Sequence, residues 1–165
     1  MKRAVSLLFI LSVFSLLLSS CEQRGDFLSY QGVAFSADAV YASPEGSFSG
    51  KMTKEKDGSL AFSFSSPSEI QGFSLLLSAD GRYFLSFEGM REEVSDRAKE
   101  MLAPFSLLSL TPTGRMRYTE EGAVFQTEKG EATVQKEASG APASILLKGA
   151  SGTLSLSLSD WQVIE

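Results

Sequence analysis

The chain has 165 residues, 15 lysines and arginines against 20 aspartates and glutamates, no histidine and one cysteine. A formal charge of −5 disfavours nucleic acid as a partner and electrostatic docking on anionic lipid. Without histidine, and with a single thiol, the Ser-His and Cys-His catalytic pairs, an internal disulfide and the usual transition-metal sites are excluded.

The first twenty-one residues read as an export signal with a site for lipid attachment. Lys2 and Arg3 form a basic head, and residues 4–18 carry no charge and are dominated by leucine, isoleucine, valine and phenylalanine. Ser19 and Ser20 then lead into Cys21, so a basic head and an apolar core precede small residues, as in a secretory signal. The run is shorter than the roughly 20 apolar residues a membrane-spanning helix needs, and no basic stop-transfer cluster follows it. Leu18-Ser19-Ser20-Cys21 resembles the bacterial lipobox. That resemblance implies cleavage before Cys21 and a diacylglycerol thioether, with palmitate-type acyl chains, on its sulfur. Two acyl chains anchor stably where one holds marginally. The expected organisation is a signal peptide over 1–20, a lipidated tether over 21–32 and a single domain over 33–165. Cleavage takes Lys2 and Arg3 with it and moves the formal charge from −5 to −7. The lipid, and not charge, would then hold the protein on the outer side of a bacterial membrane.

After the tether, with a hydrophobic catch at Phe27, Leu28 and Tyr30, period-2 alternation takes over. Val33, Phe35, Ala37, Ala39 and Tyr41 fall on one face of a strand. Ser43-Pro44-Glu45-Gly46 is a turn, 48–54 a second strand, and Asp57-Gly58 a tight hairpin into Leu60, Phe62 and Phe64. Residues 67–72 break the pattern. Phe73, Leu75 and Leu77 resume it, and Asp80-Gly81 turns into Tyr83, Leu85 and Phe87.

Residues 92–102 have helical spacing, with Val94, Ala98, Met101, Leu102 and Phe105 on one stripe and acidic Glu92 and Glu93 at the start. Pro104 is expected to interrupt this helix, before a second short helical or looped piece. Further strands are predicted over 115–118, 124–127, 132–136, 145–148 and 153–159, where Leu154, Leu156 and Leu158 alternate with serines. Short alternating segments between turns indicate an all-β sandwich or barrel. The fold class is therefore mainly β, an antiparallel curved sheet with one helical segment on its concave side.

Chemistry-bearing motifs are sparse. Glu92/Glu93 and Glu120/Glu121 are sequence neighbours, which point to opposite faces of a strand. Each glycine falls beside turn residues and not between a strand and a helix, so no phosphate loop is present. The expectation is a protein that is not an enzyme and carries no cofactor or metal beyond the covalent lipid.

The acylated start, the alternating sheet, the Pro67-Ser68-Glu69-Ile70-Gln71-Gly72 step and the Phe87-Glu88-Gly89-Met90 junction into a helix together resemble the LolA/LolB-like lipoproteins. Among these the small germination-type (GerS-like) lipoproteins of Gram-positive bacteria are the nearer likeness. The resemblance implies a half-open β-barrel whose hollow receives acyl chains. On that reading Phe35, Phe62, Phe64, Phe73, Leu75, Tyr83, Leu85, Phe87, Met101, Phe105 and Leu156 face an apolar ligand. Two arrangements of the inner wall stay open: a hollow that admits an acyl chain, or a solid core beneath the helix. The partners are correspondingly a lipid or a lipoprotein, or another envelope protein met by an adaptor surface, with the membrane reached through the lipid anchor.

Overall fold

A computed structural model describes residues 28–94 and 102–165. The signal, Cys21 and Met101 lie outside the described residues.

Eleven strands form a single antiparallel sheet among the described residues. They are β1 (Phe35–Ser43), β2 (Gly46–Lys54), β3 (Leu60–Ser66), β4 (Ser74–Leu77), β5 (Tyr83–Phe87) and β6 (Met90–Glu93) in the first half. β7 (Arg117–Tyr118), β8 (Gly122–Thr127), β9 (Gly130–Lys136), β10 (Pro142–Gly149) and β11 (Gly152–Val163) make the second. Across the sheet the order is β6-β5-β4-β3-β2-β1-β11-β10-β9-β8-β7. This is an up-and-down meander whose first and last strands pair in the middle. The sheet curves without closing, and its two free edges are β6 and β7. The chain passes between those edges through the segment that holds the helix α1 (Ala103–Leu108).

Alternation determines which side becomes the core. Phe35, Ala37, Ala39 and Tyr41 on β1 oppose Lys54, Met52, Gly50 and Phe48 on β2, so all eight share the concave face. The same register carries Phe62 and Leu75 beside Met52, and Ile145 beside Leu156 and Val134. α1 lies over this face and buries Pro104, Phe105, Leu107 and Leu108. Serines dominate the convex side, with Ser49 opposite Ser65 and Ser63 opposite Ser74 at hydrogen-bond distance.

One sequence expectation changes here. The helix predicted over 92–102 does not begin at 92, because Met90–Glu93 is an edge strand paired with β5. The reason is the turn before it: Glu88 (φ 47°) and Gly89 (φ 82°) both take left-handed backbone, the two-residue hairpin geometry. Residues 95–101 lie outside the described residues. Pro104 sits in the first turn of α1, the second short helical piece the sequence suggested, where its missing N–H costs nothing. At the chain's entry, Ser29–Gly32 forms a 3₁₀ turn that buries Tyr30 in the core. No helix among the described residues is long and apolar enough to cross a membrane.

Candidate functional site

The sheet has two rims. The lower rim is where the chain enters at Leu28, and it gathers the turn after β2, the loop before β10, the end of β11 and the end of α1. The upper rim gathers the β1–β2 turn, the turn after β3, the β10–β11 turn and the start of α1.

The predicted ligand-facing residues divide into two sets. Phe35, Phe62, Phe64, Leu75, Phe105 and Leu156 are almost wholly buried and fill the centre of the concave face under α1. Phe73, Tyr83, Leu85 and Phe87 are half-buried on the β4–β5 flank, where the Phe73 and Phe87 rings stack at 4.3 Å. The middle of the half-barrel is solid, and open space lies at the rims.

A hollow of about 560 Å³ opens at the upper rim. Tyr41, Phe48, Ile70, Ala103 and Leu154 give it an apolar lining, with Pro44 and Pro67 at its edges. Its aromatic part is held in place by ring contacts. Phe48 lies 4.8 Å from Tyr41 and packs edge-on to Phe62 and Phe64 at 5.3 and 5.2 Å. Gly152 (φ +117°) lets the two hairpins of this rim approach, since a Cβ there would meet Pro44 Cγ at 2.7 Å. Among the described residues Glu45 is the one ionisable group in the lining besides the Tyr41 phenol, and it is exposed. The apolar part of the lining can bury an apolar group.

The lower rim carries two smaller clefts. One, of about 220 Å³, is lined by Tyr30, Gln31, Phe35, Lys54, Leu60, Leu108 and Ser109. The other, of about 340 Å³, lies along Tyr30, Val33, Ala141, Trp161 and Val163. Tyr30 lines both, and Phe35 from one stacks on Trp161 from the other at 3.8 Å. Lys54 Nζ donates to the Gln31 carbonyl, and Gln31 Nε2 donates to the Leu110 carbonyl at 3.1 Å. Tyr30 Oη is buried without a well-formed hydrogen bond among the described residues. Burial pushes the Tyr30 phenol up to about 12, against a small opposing pull from the Gln31 amide. Among the described residues no three His, Cys, Asp or Glu side chains gather as a metal site would require.

The hollow's residues come from turns far apart in sequence, which is why strand alternation alone does not single out Pro44, Ile70 or Ala103. Counting strand directions in a meander does place the turns at 43–46, 67–72 and 149–152 on one rim, and that is the available signal.

No protein-family model and no curated protein matches the sequence. Solved structures do. An uncharacterized conserved protein from Thermus thermophilus superposes with a TM-score of 0.51 at 9% identity, over 85% of each chain. A LolA superfamily protein from Nitrosomonas europaea gives 0.47 at 11% identity, covering 85% of this chain and 93% of that one. The Mycobacterium tuberculosis lipoprotein LppX gives 0.41 at 11% identity, over 89% and 95%. At 9% identity the Thermus protein shares a fold with this chain, an open curved antiparallel sheet, and the likeness carries nothing about function.

Proposed function

We propose that this protein is a non-enzymatic binding protein of the bacterial envelope, tethered through a lipid on Cys21, that takes an acyl-bearing or otherwise apolar group into the upper-rim hollow. The observation that carries the reading is the hollow itself. About 560 Å³ lies within the roughly 300–1,000 Å³ of small-molecule sites, and its wall is mostly apolar, with Ser43, Ser47, Ser151 and the exposed Glu45 as its polar part. Removing an acyl chain from water at about 25 cal/mol per Å² supplies the driving force without a specific polar contact. The LolA-like resemblance of the sequence points the same way.

A second reading is favoured by the filled centre. Met52, Phe62 and Leu107 are fully buried, so a solid-cored adaptor acting through its surface on another envelope protein is the alternative. A fluorescent acyl probe esterified at its carboxyl, and so without an anionic head, decides between them. On the first reading the chain binds the probe, and Ile70→Glu, which places a charge in the hollow on a half-buried turn residue, weakens binding at least tenfold while the fold persists. Absence of probe binding, or equal binding by Ile70→Glu, leaves the adaptor reading.

A further inference from the structure

The lower-rim cleft combines three features that a structural core avoids. Lys54 occupies a concave-face position, opposite Phe35 on one side and Leu60 on the other. It is half-buried, and among the described residues no carboxylate pairs with it; its one hydrogen bond goes to the Gln31 carbonyl. An ammonium has three donors, so two are left for another acceptor. Tyr30 Oη, in the same wall, is buried and makes no well-formed hydrogen bond among the described residues, with only a small pull from the Gln31 amide, although a buried hydroxyl is normally satisfied. Phe35, Leu60 and Leu108 give the lining its hydrocarbon, and Gln31 and Ser109 complete it. In a chain of net negative charge this is a local cation facing an apolar slot.

The geometry points to a second site here, distinct from the upper-rim hollow, for a single-chain amphiphile with a carboxylate head. The head accepts from Lys54 Nζ, and the tail lies between Phe35, Leu60 and Leu108. Charge-assisted hydrogen bonds of this kind are about twice as strong as neutral ones, and the apolar walls raise their worth by excluding water. About 220 Å³ suits a head with a short tail. A longer tail would continue past Tyr30 toward the neighbouring cleft of about 340 Å³.

Trp161 is the only tryptophan and stacks on Phe35 in the wall of the cleft, so its emission reports occupancy. The test is a fluorescence titration of the full chain in phosphatidylcholine vesicles with sodium octanoate, octylammonium chloride and sodium acetate, against protein-free vesicles. Octanoate should change Trp161 emission saturably, with acetate and octylammonium at least tenfold weaker. Lys54→Gln should cost at least tenfold for octanoate, and Lys54→Arg should restore most of it. Ile70→Glu at the other rim should leave octanoate binding as it is, so failure of the upper hollow and failure of this site read out separately. Octylammonium binding as tightly as octanoate, unchanged octanoate affinity in Lys54→Gln with the emission baseline intact, or no response of Trp161 to octanoate each overturns the proposal.

Discussion

Two residues show how single polar groups have opposite standing in this fold. Tyr30 is 4% exposed, and its hydroxyl forfeits its water without gaining a well-formed hydrogen bond among the described residues. Such a group costs on the order of 1–3 kcal/mol, so Tyr30→Phe should raise stability by about 1 kcal/mol in urea unfolding. The same variant should bind octanoate more weakly if the hydroxyl also serves the carboxylate. Asp80 is the reverse case. Arg82 donates through Nε at 2.8 Å, Ser78 adds a second bond, and together they hold the Asp80 carboxyl down at about 2. Its folded pKa lies below the ordinary value of 3.8, so its contribution to stability is present at neutral pH and fades as pH falls from about 4 towards 2. The pair is exposed, hence the effect is small and shrinks with salt. Thermal midpoints measured at low salt should show a shallower acid dependence in Asp80→Asn than in the parent, over that window only.

At the scale of elements, the sequence disclosed those whose signal is local and hid those whose signal is not. Phe35 to Tyr41 and Leu154 to Leu158 alternate against a buried face, so period 2 is printed in them, and the Asp57-Gly58 and Asp80-Gly81 turns announce their hairpins. β6 has no such mark. Met90, Arg91, Glu92 and Glu93 are all exposed on an edge, and an edge strand with no face to bury carries no periodicity. The apolar stripe that follows then draws the helix boundary back over it. The turn held the missing information, because Glu88 and Gly89 both adopt positive φ. Gly89→Ala would force a side chain into that geometry at about 1 kcal/mol or more. The loss should be local: faster amide exchange in β6, with β1 and β11 protected as before, is the expected pattern. Uniformly faster exchange across the sheet would show that β6 unfolds only with the whole.

For the whole molecule the decisive relation is between the proposed place of the tether and the place where space opens. β1 starts beside the entry turn at the lower rim and ends at the upper one, and nine residues at about 3.3 Å each make a separation of roughly 30 Å. From Cys21 to Leu28 the chain reaches at most about 25 Å. If the proposed lipid is on Cys21, the Lys54 cleft is the rim nearer the bilayer and the upper-rim hollow the farther one, and an apolar group entering the hollow would then come from a partner or carrier. None of this was legible in the sequence, where Lys54 and Pro44 are two ordinary polar-segment positions; it follows from strand direction alone once β1 and β11 are known to pair. The arrangement is measurable. If Cys21 carries the proposed lipid, Glu55→Cys at the lower rim and Glu45→Cys at the upper rim each supply one labelling site on an exposed turn. Energy transfer to an acceptor in the bilayer should be strong from position 55 and weak from position 45. Equal transfer would mean that the sheet lies flat on the membrane, and stronger transfer from 45 would invert the orientation and put the hollow in contact with lipid. Cys21→Ala should release the exported protein from the membrane altogether; retention at the original level would remove the anchor on which the orientation depends.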